Sequence, residues 1–439
     1  MDTQGKPMTR KTAPGDILLA LLIFIPLAVA GPRLWALQGS GAVWLLSLTG
    51  RIAGILGLAT LLVTAAMCVR LPVLDRWFGG LPHLWLLHRR LGFAAFILIL
   101  AHVLLLTFAA LPLATTQAVR VLFPPLSFAP IWAGWLALLA LTLAIAPTFQ
   151  VSAGFHYQRW KRQHLLAAAA VLLALLHALP LLAENAVWWG LSLLAGAAIA
   201  WRKLLAPVLA RHEYQVTEVT QLAADVVEIS LRPQHAGITH AAGQFVYLTP
   251  EDPLLSAGRG EEHPYTITSA PGDPELKLGI KALGDASLAL QSLTPGSRVR
   301  VEGPYGQFFT PRVPRRKQLW LGGGIGITPF ISAARQLAQQ PERFEQVTLF
   351  YLANREARAY YHEELEQIAE AHPQLTLVIH YFSCCGPLTE AFLREHCADF
   401  AERELFICGP PPMLRYLRGM LAKAGVNPQF MHTEAFDFL

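Results

Sequence analysis

Six long apolar runs lie before residue 206, at about 16–30, 43–69, 86–111, 128–147, 164–183 and 186–201. They constrain the fold more than any other feature. A helix needs about 20 apolar residues to cross a bilayer, and most of these runs reach that length. Only 15% of the 439 residues are charged and 54% are hydrophobic, whereas soluble chains carry about 25% charge. This argues against a plain soluble enzyme, a coiled coil or a disordered chain, and the expectation is a multi-domain membrane protein. The charge is also divided. Through His212 there are sixteen Lys and Arg against four Asp and Glu; beyond it, nineteen against twenty-six. The basic surplus is scattered between apolar runs, which suits loops lying against anionic lipid and not nucleic acid. The five cysteines (Cys68, Cys384, Cys385, Cys397 and Cys408) show no zinc-type spacing and suggest no disulfide framework.

Lys and Arg also give an orientation. Lys6, Arg10 and Lys11 precede the first run; Arg70, Arg76, Arg89 and Arg90 surround the second connection; Arg159, Lys161 and Arg162 lie in the fourth; Arg202 and Lys203 follow the sixth. The other loops offer only Arg33 and Arg120. The positive-inside rule then puts both termini in the cytoplasm, in a multi-pass protein of a cell's inner membrane. A competing reading takes the first run, ending in Ala28-Val29-Ala30, as a cleavable signal peptide. It leaves five spans with the later ones oriented the same way.

Four histidines carry the chemistry of this half. His88 and His102 belong to the third run and His164 and His177 to the fifth. Spacings of fourteen and thirteen residues are close to whole numbers of turns, so each pair shares roughly one face of its helix, about 20 Å apart along the axis. Two such helices side by side offer two His–His couples stacked across the bilayer, each able to ligate one haem iron through neutral imidazole nitrogens. The bland alternative is interhelical hydrogen bonding, which explains one histidine better than four in two matched spacings. His83 and His156 lie in inner loops, where an interfacial role fits better. Arg51 falls one to two turns into the second run, and an ionisable group there is a functional candidate. It would pair with a propionate of the outer haem or hold an anionic product, unless it only snorkels to the interface.

After Lys203 the pattern changes. Short strand-like runs separated by turn signals, Tyr214–Gln221, Val226–Arg232, Gln244–Thr249, Tyr265–Thr268, Lys277–Lys281 and Arg298–Glu302, suggest a small antiparallel barrel. From about 315, strands at Gln318–Leu321, Gln346–Leu352, Leu375–Tyr381 and Glu404–Cys408 alternate with helices, starting at Thr328, near Tyr361–Ala371, from Pro387 and from Pro412. That is the pattern of a doubly wound α/β sheet. Leu321-Gly322-Gly323-Gly324-Ile325-Gly326-Ile327-Thr328-Pro329 follows the first of these strands. Its glycines allow a phosphate to approach the backbone, and Thr328 is expected as N-cap with Pro329 as the first helical residue. Residue 329 is Pro, so the run is not the Gly-x-Gly-x-x-Gly fingerprint.

His263-Pro264-Tyr265-Thr266-Ile267-Thr268-Ser269 resembles the flavin motif of the ferredoxin-NADP reductase superfamily. Ala242-Gly243-Gln244-Phe245, Gly303-Pro304-Tyr305-Gly306, the glycine loop and Cys408-Gly409-Pro410 follow in that family's order around it. Joined to six spans with four spaced histidines, the whole chain from about 16 resembles the NADPH oxidase and ferric reductase superfamily, and its compact bacterial members in particular. The resemblance implies a cytoplasmic N-terminal tail over 1–15, a six-helix transmembrane bundle with two b-type haems over 16–205, an antiparallel β-barrel FAD domain over 213–313 and an NAD(P)H-binding α/β domain over 315–439.

It also implies roles. His263, Pro264, Tyr265, Thr266, Thr268 and Ser269 would shape or contact the flavin, and Ile280, Lys281, Gly284 and Ser287 its pyrophosphate, with Ala286 where relatives often have Trp. Gly322, Gly323, Gly324, Gly326 and Thr328 would hold the nicotinamide dinucleotide phosphates. Cys408, Gly409 and Pro410 would lie beside the nicotinamide. Phe436 would stack on the isoalloxazine, unless Phe438 takes that place. Arg355, after the second strand, leans the donor toward NADPH over NADH, although Ser383 is followed by Cys384 and not by Arg. As structural alternatives, Tyr265 and Phe436 would be core aromatics and Cys408 a small buried hydrophobe.

The function implied is electron transfer from NAD(P)H through FAD and two haems to an external acceptor. Oxygen, giving superoxide, is preferred to a ferric chelate because 112–127 is short and mostly apolar. A membrane-anchored flavin reductase serving a partner is a distant alternative, and a non-enzymatic scaffold leaves the flavin motif idle. No calcium-binding segment is visible, so activity without calcium or a protein activator is expected.

Overall fold

The computed structural model describes residues 13–37, 39–149, 157–182, 185–309 and 317–434. The chain divides into two compact units. The expectations placed on Phe436, Phe438, His156 and the N-terminal tail before Ala13 lie outside the described residues.

The first unit comprises 12–70 and 83–207. Its helices are α1 (Pro14–Trp35), α2 (Gly41–Ala66), α4 (Leu81–Ala110), α5 (Thr115–Leu122), α6 (Ala129–Ile145), α7 (Tyr157–Gln163), α8 (Leu166–Ala178) and α9 (Ala186–Ala200); α3 (Pro72–Phe78) is grouped with the second unit. Among the described residues, five helical segments are long and apolar enough to cross a membrane: Pro14–Trp35, Gly41–Ala66, Leu81–Ala110, Ala129–Thr148 and Ala186–Leu209. The fifth of the six apolar runs is shorter, because α7 and α8 are separate helices meeting at His164-Leu165. Glycines bring α2 against α4. A Cβ on Gly50 would come 3.0 Å from Leu106, and one on Gly57 3.0 Å from Ile99. With lipid on the outside, such close backbone approach supplies packing that the hydrophobic effect does not.

The second unit carries two sheets. Strands β1 (Arg211–Ala223), β2 (Val226–Pro233), β3 (Phe245–Pro250), β4 (His263–Thr266), β5 (Leu276–Lys281) and β6 (Arg298–Tyr305) form an antiparallel sheet in the order β4-β3-β6-β1-β2-β5. A bridge between Ile267 and Leu278 curls its two edges together into a barrel. Val216, Ile229, Leu231, Val246, Leu248, Ile280 and Val301 fill the interior. Six successive residues of β2 are buried, including Glu228 and Ser230 on the face away from the barrel core; both faces of this strand are covered, so hydrophobic alternation is lost.

The remaining strands are β7 (Lys317–Gly323), β8 (Gln346–Ala353), β9 (Leu375–Tyr381), β10 (Glu404–Cys408) and β11 (Met431–Glu434), all parallel, in the order β11-β10-β7-β8-β9. Helices α10 (Ala206–Leu209) and α11 (Asp285–Ala289) lie before this sheet in sequence. α12 (Thr328–Gln339), α13 (His362–Ala371), α14 (Phe382–Cys385), α15 (Glu390–His396) and α16 (Pro411–Lys423) connect its strands. The chain leaves β7 toward β8 and returns on the other side at β10. The topological switch point, where such sheets bind ligands, is therefore between β7 and β10.

Several details differ from the sequence reading. A 3₁₀ turn over Gly324–Ile327 precedes α12, so Thr328 is the first helical residue and not the cap; its hydroxyl donates back to the Ile325 carbonyl at 2.9 Å. The helix expected from Pro387 starts at Glu390, after Thr389 caps it through the Phe392 N–H. The elements α3, α5 and β11 were not anticipated.

Candidate functional site

In the helical unit, His88 and His164 face each other with ring centres 6.2 Å apart and planes at 67°. His102 and His177 stand 6.4 Å apart at 68°. The expected pairing of third- and fifth-run histidines is thus formed geometrically. Each Nδ1 meets a backbone carbonyl: Thr64 at 3.0 Å for His88, Gly50 at 2.8 Å for His102, Ala144 at 3.5 Å for His164 and Pro130 at 2.9 Å for His177. A carbonyl can only accept, so Nδ1 carries the proton and Nε2 keeps its lone pair. This is the outer-contact pattern of metal-ligating histidine. A metal bonded to one nitrogen of each ring at about 2.0 Å separates the ring centres by roughly 6.3 Å. Two protein ligands do not complete a metal's coordination, and no cluster of three or more metal-binding side chains occurs among the described residues. The couples therefore fit a metal that arrives with its own ring of ligands.

Space for the rings is made by glycine. A Cβ on Gly54 would lie 2.6 Å from His102 Nδ1, and one on Gly134 2.8 Å from His177 Nδ1. Trp160 packs on His164 with centres 5.2 Å apart. Arg51 is exposed on α2, near enough for its charge to act on His102. His83 binds Asp16 at 3.0 Å, joining the first turns of α1 and α4.

In the second unit, β4 holds His263-Pro264-Tyr265-Thr266 opposite Leu248, Tyr247, Val246 and Phe245 of β3. Tyr265 is half-buried and Thr266 buried. Thr268 and Ser269 are fully buried and their hydroxyls are engaged within the protein. Thr268 donates to Glu228 at 2.6 Å, and Ser269 accepts the Lys277 N–H at 3.2 Å. Ile280 is a core residue. Ser287 accepts the N–H groups of Leu283 and Gly284, both at 2.9 Å, tightening the turn into α11.

At the switch point the glycines are required by close approach. A Cβ on Gly326 would lie 2.5 Å from the Cys408 carbonyl, one on Gly323 2.2 Å from Met413 Sδ, and one on Gly409 2.3 Å from Met413 Cε. Gly324 has φ +56°. The two loops after β7 and β10 thus pack backbone to backbone. Cys408 is fully buried; burial, with the nearby Glu434 carboxyl, pushes its thiol well above the usual range. Burial and the charge of Asp75 push Glu434 up to about 8. Arg355 is exposed just past β8.

Sequence reasoning missed three groups. Asp75 on α3 is buried and accepts from Leu81 N at 2.5 Å, Gly306 N at 3.2 Å and the Gln307 amide at 2.8 Å. It was one of only four acids in a basic half, and that rarity was the available signal. Glu228 is buried where alternation would place a surface residue. Burial alone would raise its carboxyl, but Arg335 holds it below the usual range. Arg335 bonds both Glu228 oxygens at 3.0 and 3.1 Å, both Glu364 oxygens at 2.6 and 2.7 Å and the Thr268 carbonyl at 2.9 Å.

Three family profiles match successive stretches: a ferric reductase like transmembrane component over 53–175, an FAD-binding domain over 211–308 and an oxidoreductase NAD-binding domain over 320–419. In kind and order these three domains match the architecture of the NADPH oxidase and ferric reductase superfamily. The chain thus combines FAD-binding and NAD-binding domains of the oxidoreductase type with a ferric-reductase-like membrane component. The glycine betaine monooxygenase reductase subunit of Chromohalobacter salexigens is 29% identical over 241 residues, 52% of this chain and 64% of its own. The equivalent subunit of Pseudomonas aeruginosa is 32% identical over 210 residues, 44% and 55% of the two chains. The 3-ketosteroid-9-alpha-monooxygenase ferredoxin reductase component of Mycobacterium tuberculosis is 31% identical over 209 residues, 46% and 56%. The chain thus spans 55 to 64% of these relatives' lengths. Among solved structures, flavohemoglobin from Malassezia yamatoensis is similar at 18% identity and TM-score 0.47, over 78% of this chain and 87% of that one.

Proposed function

We propose that this chain moves electrons from NAD(P)H and FAD through two b-type haems across the bilayer, and that the acceptor on the far side is oxygen, released as superoxide. The observation that supports this reading is the two His couples, each at bis-imidazole spacing with Nδ1 committed to a carbonyl. His88 and His164 would hold one haem and His102 and His177 the other, each through Nε2. When bound, flavin takes a hydride and gives up single electrons, and haem iron relays them.

The chain's own residues do the rest. With the imidazoles of both couples committed as its protein ligands, each haem would supply electron transfer without binding oxygen. Arg51 supplies a cation beside the couple of His102 and His177, for a propionate or for the anionic product. Gly322, Gly323, Gly324 and Gly326 let the dinucleotide phosphates reach the backbone at the start of α12. Cys408 and Gly409 would border the nicotinamide. The Lys and Arg between the apolar runs support a dehydrogenase unit on the cytoplasmic side of an inner membrane. A ferric chelate as acceptor is the second reading and uses the same path; the mostly apolar stretch 112–127 puts oxygen first.

The test is cytochrome c reduction by detergent-purified protein with NADPH and FAD in air, with and without superoxide dismutase. Strong inhibition by the dismutase is expected. Undiminished reduction would give the lead to the ferric-chelate reading, and a dithionite-reduced spectrum without b-type bands would overturn the haem assignment.

A further inference from the structure

A cavity of about 310 Å³ opens at the C-terminal edge of β7 and β8, lined by Asp225, Lys281, Gly324, Asn354, Arg358 and Tyr360. Its position is where a doubly wound sheet receives a dinucleotide. Gly324 belongs to the loop after the first strand, which takes the pyrophosphate, and Asn354 follows the second strand, where the 2′ position of the adenosine ribose is read. Two cations face this space. Lys281 lies with Nζ 5.9 Å from the centre of the Tyr360 ring. Arg358 also points toward Tyr360, with Nη1 3.5 Å from its hydroxyl. The exposed Arg355, the residue the sequence singles out, does not line the cavity.

One of the two cations is already occupied. Arg358 Nη1 forms a short ion pair with Asp225, which stands in the turn between β1 and β2 of the barrel and fixes that turn by accepting the Ala282 N–H on its carbonyl at 2.8 Å. A carboxylate therefore sits where a phosphate oxygen would be expected. An arginine fork accepts carboxylate and phosphate in the same geometry. Both side chains retain partial exposure, 37% for Arg358 and 28% for Asp225, so the pair is weak enough to exchange.

We propose that Asp225 is a built-in competitor for the donor dinucleotide, and that Arg358 trades this carboxylate for a dinucleotide phosphate when NAD(P)H binds. The proposal deepens the nucleotide part of the reading above and does not depend on haem or on the acceptor. In the free protein the pair keeps Arg358 oriented and the local charge balanced. On binding, Asp225 returns to water and the guanidinium meets the phosphate.

The experiment is calorimetric binding of 2′,5′-ADP and of 5′-ADP to the purified full chain loaded with FAD, with NADPH–ferricyanide kinetics alongside. Asp225→Asn should tighten binding and lower KM about two- to fivefold, the range expected for a partly exposed ion pair, with the effect falling on KM and not on kcat. Arg358→Ala should weaken binding roughly tenfold, and Arg358→Lys should recover part of it. Loss confined to 2′,5′-ADP assigns Arg358 to the 2′-phosphate; equal loss on both probes assigns it to the pyrophosphate. If Asp225→Asn binds both probes no more tightly than the parent, or if Arg358→Ala binds both as well as the parent, the exchange is wrong. Failure of the haem or superoxide reading would leave these binding constants untouched.

Discussion

The two units build their sites by different means. In the helical unit, four side chains of one type make the geometry, two on α4, one on α8 and one at the junction of α7 and α8, and their partners are main-chain carbonyls. In the dehydrogenase unit, the site is made of loop backbone drawn together at a sheet edge. Its side-chain partners come from far along the chain: Asp75 meets Gly306, Glu228 meets Arg335, and Cys408 meets Glu434. A site of the first kind tolerates little change at four positions and much elsewhere. A site of the second kind is held by distributed polar contacts, and its failures are first of all failures of stability.

The sharpest break in this comparison is His102→Ala or His177→Ala. Either should abolish transfer to external acceptors, by about a hundredfold or more if the step depends on the outer haem, and lower haem from two to one per chain. NADPH–ferricyanide activity should persist, because the dehydrogenase unit carries none of these histidines. Pyridine haemochrome content and the two activities measure this; an unchanged haem-to-protein ratio sinks the assignment.

The opposite signature is expected in the dehydrogenase unit. Arg335→Leu strips a buried carboxylate, Glu228, of its bidentate partner and should cost about 3–5 kcal/mol. Its thermal transition should fall by many degrees with FAD retention lost, while the haem spectrum stays intact. Loss of haem with intact flavin would contradict the division between the units.

Gly134→Val refines the helical half. The first added carbon already meets His177 Nδ1 at 2.8 Å, and a branched side chain cannot yield. Occupancy of the couple of His102 and His177 should drop severalfold with that of His88 and His164 largely retained, since Gly92, facing Thr64 at 3.7 Å, has ordinary contact distance. Equal loss from both couples in redox-resolved spectra would show that the glycine serves the bundle and not one ring.

These contrasts also explain what was legible in the sequence. The histidine couples could be read because period 3.6 converts spacing into face, and helices long enough for a bilayer have no other fold available. The glycine loop could be read because only close backbone approach requires several glycines together. Asp75, Glu228 and Arg335 could not be paired, because nothing local in a sequence says that residues 75 and 306, or 228 and 335, will meet; that follows from topology. Strand β11 escaped because Met431–Glu434 is four residues long with no alternation, and takes its strand form from pairing with β10. The short helix α3 escaped because seven residues carry no period. Its ends are marked by Pro72 and by Gly79 at φ +67°, which are clear only once the helix is known.

The last effect expected is a slope with pH. Burial, and then the charge of Asp75, raise Glu434 to about 8, against roughly 4.3 for an ordinary glutamate. A raised acid favours the neutral form in the fold. Its stabilisation is complete below the unfolded value and is lost as pH climbs through the folded one. The dehydrogenase transition should therefore decline between about pH 5 and pH 9. Glu434→Gln, which keeps the neutral shape, should flatten that decline and place the variant above the parent at pH 9. Burial raises Asp75 as well, so the slope should shrink without vanishing, and removing the glutamate charge should relieve Asp75 in turn. Thermal unfolding of parent and variant across that range decides it. Parallel curves would mean that Glu434 ionises freely in the fold, and that the edge of β10 and β11 is wetter than its packing implies.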